Sequence, residues 1–125
     1  MPTDTRKITG VRGEEEAARF LTRSGFAILD RNVRTRAGEI DLVAKDGETL
    51  AFVEVKTRSS SVCGRPSEAV DRRKQARLTR AAGAYLARTG RHAAACRFDV
   101  VEVWDDPGGG CRIEHIRDAF RDGRA

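Results

Sequence analysis

Two stretches, GEIDLV at 38–43 and AFVEVKTR at 51–58, set Glu39, Asp41, Glu54 and Lys56 inside runs of apolar residues. Alternation along a strand gives Glu39, Asp41 and Val43 one face and Ile40 and Leu42 the other. On the second strand Phe52, Glu54 and Lys56 point one way, and Ala51, Val53 and Val55 the other. Asp46-Gly47 between the runs is a hairpin dipeptide, because both central residues of a type I′ turn need positive φ. Taken as a two-residue turn, it sets Glu39 opposite Glu54 with Asp41 on the diagonal. Carboxylates so crowded repel and raise one another's pKa. A magnesium or manganese ion, which takes hard oxygen ligands, offsets that repulsion, whereas Lys56 neutralises only part of it. The competing reading is a solvated charge ladder on an exposed sheet face. Against it, the Ile, Leu, Val and Phe around the charges call for a strand pair covered on both faces.

The surrounding elements must hold those side chains in place. GEEEAARFLTRS, from Gly13 to Ser24, reads as a helix with its acids in the first turn, where the helix dipole favours them, and Gly25 as a stop. Its stripe of Ala17, Ala18 and Leu21 runs back to Glu14 at helical spacing. FAILDRNVR is a short strand, and the two acid-bearing runs follow as strands two and three. SSSVCGRP, at 59–66, is a loop, and Ser67 is a plausible N-cap for a long helix reaching about Arg88. The stripe of Leu78, Ala81, Ala82, Tyr85 and Leu86 extends back to Lys74, Gln75 and Asp71. Both helices thus turn polar at their N-terminal ends, which favours a shared polar cleft over two helices merely emerging from a core. CRFDVVEVW is a fourth strand, CRIEHI a fifth, and RDAFRDG a short terminal helix. The order α, β, β, β, α, β, β makes an α/β fold, a mixed five-stranded sheet flanked by helices. No linker or repeat divides residues 1–125, so one domain is expected, with residues 1–9 a flexible arm.

The chain as a whole bounds the chemistry. At 125 residues it can bury a core without staples, and the absence of an apolar run of membrane-spanning length predicts a cytoplasmic protein with no membrane partner. Cys63, Cys96 and Cys111 lack metal-ligand spacing and read as reduced thiols; His92 and His115 stand alone. A net charge of +5 favours a polyanionic partner through counterion release. Five Phe, one Tyr and one Trp leave little for base stacking on single strands, so duplex or branched DNA is the better candidate.

Taken together, Gly13-Glu14, NVRTRAGEIDLV, FVEVKTR, AVDRRKQARL and RFDVV closely resemble the YraN-like family of small bacterial proteins, over roughly residues 10 to 103. That family's fold belongs to the restriction-endonuclease-like superfamily, which includes archaeal Holliday junction resolvases. The resemblance implies a restriction-endonuclease-like core and a metal-dependent endonuclease that hydrolyses DNA with Mg2+ or Mn2+. It maps the nuclease motif onto Asp41, Glu54 and Lys56, gives Glu14 as a further acid and metal ligand, and makes Gln75 a further polar residue near the metal. Related resolvases act as symmetric dimers, so a homodimer is implied too. Asp41, Glu54 and Glu14 would hold the ion, and Lys56 would orient water or stabilise the transition state. Arg34, Arg36, Arg58, Arg72, Arg73 and Lys74 are candidates for DNA-backbone contacts. The alternative is a basic DNA-binding module that keeps the nuclease fold but does not cut.

Overall fold

The computed structural model describes residues 10–59, 71–91, 94–105 and 110–121. Helix α1 (Gly10–Arg23) is followed by strands β1 (Ala27–Arg34), β2 (Glu39–Asp46) and β3 (Thr49–Ser59). Then come helix α2 (Arg72–Thr89) and strands β4 (Ala95–Asp105) and β5 (Cys111–Phe120). The five strands form one sheet in the order β1-β2-β3-β4-β5, with β3 and β4 parallel and every other neighbour antiparallel. A parallel neighbour demands a crossover, and α2 lies within it. The mixed sheet with a helix packed on each face is the α/β architecture expected of a restriction-endonuclease-like core.

Alternation sorts the apolar residues onto the two helices. Ala17, Ala18 and Leu21 of α1 pack with Leu42, Ala44, Ala51, Val53, Val101 and Val103. Leu78, Ala81, Ala82 and Tyr85 of α2 pack with Val43, Leu50, Phe52 and Phe98. Ile40 departs from the simple alternation: it joins Val33 in the α2 cluster rather than Leu42 in the α1 cluster. β4 is buried without a break from Phe98 to Trp104, as a strand covered on both faces must be.

Four details differ from expectation. The turn between β2 and β3 is Gly47-Glu48 rather than Asp46-Gly47, because Asp46 pairs with Thr49 and Gly47 alone takes positive φ, 62°. The register moves by two, which keeps every side chain on its face but sets Asp41, not Glu39, beside Glu54. Helix α1 begins a turn early, at Gly10, so Glu14 to Glu16 sit in the second turn; Gly25 (φ 98°) ends it, with the Phe26 N–H bonded back to Leu21 O at 2.9 Å. Helix α2 is capped by Asp71, whose side chain accepts from the Lys74 N–H at 2.9 Å. The expected cap Ser67, its loop and Cys63 lie outside the described residues, while Cys96 and Cys111 are free thiols.

The terminal helix does not form, and RDAF continues β5 instead. A register shift opposite Phe98/Val100 and a left-handed Asp118 (φ 52°) absorb extra residues as a bulge. Two contacts favour the strand: Phe120 stacks on Phe98 at 4.8 Å, and the Asp118 N–H donates to the buried Asp99 carboxylate at 3.0 Å. Asp99 also accepts from Arg97 at 2.9 Å and lies 2.8 Å from His115 Nε2. Arg97 in turn bridges to Asp46 at 3.0 Å. This network holds β2, β4 and β5 together, and it keeps the Asp99 carboxyl below its usual range although burial alone would raise it.

Candidate functional site

Asp41 sits where the β2–β3 ladder ends. The last main-chain pair is Leu42 with Val53, and beyond it the Asp41 carboxylate itself takes the next amide, accepting from the Val55 N–H at 2.9 Å. One strand position away Glu54 is 5% exposed, so two carboxylates are held side by side with little water. Glu14, from the second turn of α1, stands close enough for its carboxyl and that of Asp41 to act on each other's titration.

The electrostatics follow from that crowding. Burial, with the charges of Glu54 and Glu14, pushes Asp41 up to about 7 despite the Val55 amide and Lys74, which act the other way. Glu14 is also raised, by burial first and then by Glu39 and Glu54. Asp41 therefore holds its proton far above the usual carboxylate range.

These groups open on a cavity of about 170 Å³ lined by Gly38, Glu39, Asp41, Glu54, Lys74, Arg77 and Leu78. A larger hollow, about 320 Å³, lies between α2 and the β4–β5 side. Its walls mix Phe52, Phe98 and Phe120 with Arg97, Asp118 and Arg121 and gather no carboxylate pair, so the smaller cavity is the one that brings carboxylates together.

Lys74 lies inside the cavity. Its ammonium is 2.7 Å from Glu54 Oε2, while Lys56, the lysine of the Glu-x-Lys pair, stands at 3.8 Å from the same oxygen. Burial alone would lower the Lys74 pKa, but its bond to Glu54 and the charge of Asp41 carry it above the usual lysine range. Among the described residues no three Asp, Glu, His or Cys side chains close into a ready-made ion site. The donors nonetheless suit a hard divalent cation: all are carboxylate oxygens, and burial together with the charges of Glu54 and Glu14 raises Asp41 to about 7.

The other expected residues divide. Arg72 and Arg73 are exposed in the first turn of α2, and Arg36 is exposed in the β1–β2 connection. Arg34, also exposed, pairs with Glu39 at 3.1 Å. Arg58 is engaged elsewhere, since its Nη2 lies 3.2 Å from Glu102, a carboxylate with no exposed surface, making Arg58 that group's counter-ion. Lys74 is drawn inward by Glu54 instead of lying on the outer surface. Gln75 is half-buried on the same turn, is not among the residues that line the cavity, and is bonded through its own N–H to Asp71 O at 2.9 Å. Arg77 is the lining residue that sequence reasoning missed. The one available signal was its spacing, i+3 from Lys74.

No helix among the described residues is long and apolar enough to cross a membrane. Residues 13–103 match the model of the uncharacterised protein family UPF0102, a span that holds every carboxylate and lysine of the cavity. A UPF0102 protein of Symbiobacterium thermophilum is 56% identical over 111 residues, covering 89% of this chain and 94% of the relative. One from Rhodococcus jostii is 50% identical with the same coverage, and one from Frankia alni is 52% identical over 120 residues, 96% of this chain and 100% of the relative. With a sheet, a carboxylate cavity and relatives that share nearly its whole length, the chain belongs to the UPF0102, or YraN-like, family.

Proposed function

We propose that this protein is a metal-dependent endonuclease that hydrolyses phosphodiester bonds of duplex or branched DNA. The observation that carries the reading is the convergence of Asp41 and Glu54, from β2 and β3, on one cavity, where burial first and then the charges of Glu54 and of Glu14 on α1 push Asp41 up to about 7. Strongly perturbed carboxylates in a cleft are a mark of functional sites. Asp41, Glu54 and Glu14 would hold a magnesium or manganese ion, which when bound supplies charge neutralisation at the phosphate and a more acidic water. Lys56, 3.8 Å from Glu54, would orient that water or stabilise charge developing on the phosphate. The exposed Arg34, Arg36, Arg72 and Arg73 are available to grip the backbone on either side.

A second reading, a DNA-binding module that does not cut, draws on the 2.7 Å Lys74–Glu54 pair, which offsets part of the negative charge without any metal. Cleavage of labelled single-stranded, duplex, flap and four-way-junction DNA with Mn2+ or Mg2+ separates the two. The experiment runs wild type beside a Glu54→Ala variant whose fold is checked by circular dichroism. Metal-dependent products from wild type alone are expected. Gel shifts by both proteins with no product from either would leave the binding module, and neither cutting nor binding would remove nucleic acid from consideration.

A further inference from the structure

We infer that Lys74 is an exchangeable counter-ion: it holds Glu54 until a divalent cation arrives, is displaced by that cation, and then turns its ammonium to a phosphate of the substrate at the cavity mouth. This deepens, and rests on, the nuclease reading of the site. The geometry sets up the competition. Glu54 is almost wholly buried and Lys74 Nζ lies on its Oε2 at 2.7 Å, so an ion shared between Asp41 and Glu54 competes with the ammonium of Lys74 for the same carboxylate charge. Two cations in contact across one carboxylate repel, and lysine, a point charge on a flexible stem, is the partner that can leave.

The backbone of Lys74 stays put while its side chain moves. Its N–H is held by the Asp71 cap at 2.9 Å, so the stem pivots from the first turn of α2. The side chain is 39% exposed against 27% for Lys56, which leaves it an outward path. Arg77 lies along the same wall of the cavity. An ammonium swung out of the carboxylate pair therefore joins the guanidinium of Arg77, one turn further along α2, and two cations on one wall suit a phosphate diester. Lys56 makes a poor substitute for this role, because it sits on β3 itself and shares the strand with Glu54. Cation and DNA should then bind with positive coupling, each favouring the state in which Lys74 has left Glu54.

The test is Mn2+ binding measured calorimetrically on wild type, Lys74→Gln and Lys74→Arg, together with affinity for a non-cleaved phosphorothioate duplex with and without Ca2+. Lys74→Gln removes the competitor, so its Mn2+ affinity should rise about tenfold, while Lys74→Arg stays near wild type. Ca2+ should strengthen duplex binding by wild type several-fold more than by Lys74→Gln. Unchanged or weaker Mn2+ binding by Lys74→Gln, where wild type binds, overturns the exchange and leaves the metal site standing. Absence of Mn2+ binding by all three proteins overturns the metal site and the exchange together.

Discussion

At the scale of single residues, the site is defined by a proton that the fold keeps on Asp41. The folded pKa of about 7 stands above the ordinary 3.8, so the folded state binds more protons than the unfolded chain between those values. The fold therefore loses stability as pH rises from about 4 to 7 and no more beyond it. Asp41→Asn keeps an acceptor for the Val55 amide but removes the titration. It is expected to raise Tm by about 5 °C at pH 8, with the gain vanishing towards pH 4, as a series of thermal melts across that range will read. Asp41 and Glu54, which line the cavity, stood out in the sequence because each interrupts an apolar face of known period, and the α2 stripe carried Lys74 towards the same polar cleft. The Lys74–Glu54 pair and Arg77 were not assignable: a cation on a helix turn looks the same whether it meets solvent or a buried carboxylate, and only the position of Glu54 decides.

At the scale of elements, order and type were readable while ends and pairings were not. The helices and first four strands follow from stripes and alternation, but the β2–β3 turn moved by one residue, and the register by two, because Gly47 takes positive φ and its neighbour does not. The terminal helix expected at RDAF is a strand since its stabilising partners, Phe98 and Asp99, lie on β4 and leave no local signature. His115 looked isolated for the same reason. The Asp99 network is the tie between these strands, and its depressed carboxyl contributes stability above the ordinary pKa that disappears as pH falls through the lower folded value. Asp99→Ala leaves Arg97 and His115 without their buried anion and is expected to cost about 3 kcal/mol in urea unfolding at pH 7. At pH 2 to 3 the gap between variant and wild type should narrow.

At the scale of the whole molecule, a net charge of +5 coexists with an acidic cavity. On the proposed reading, positive charge would bring a polyanion to the surface, and the carboxylates would keep it from settling at the centre until a cation is in place. Arg72 and Arg73, exposed beside the N-terminal end of α2, belong to the attracting surface. Replacing both with Ala should weaken duplex binding uniformly across sequences and reduce the slope of log affinity against log salt by about 2, measured by fluorescence anisotropy in rising KCl. The end of the β2–β3 ladder carries a different consequence. Because the Val55 N–H is held by a side chain that titrates, and not by another main-chain carbonyl, its proton becomes a spectroscopic indicator lying within the sheet. In a two-dimensional amide spectrum its resonance should move with a midpoint near pH 7, and Mn2+ should broaden it before its neighbours on β4. A single peak would then report protonation, metal entry and, in the Lys74 variants, the exchange between the two, with no substrate in the tube.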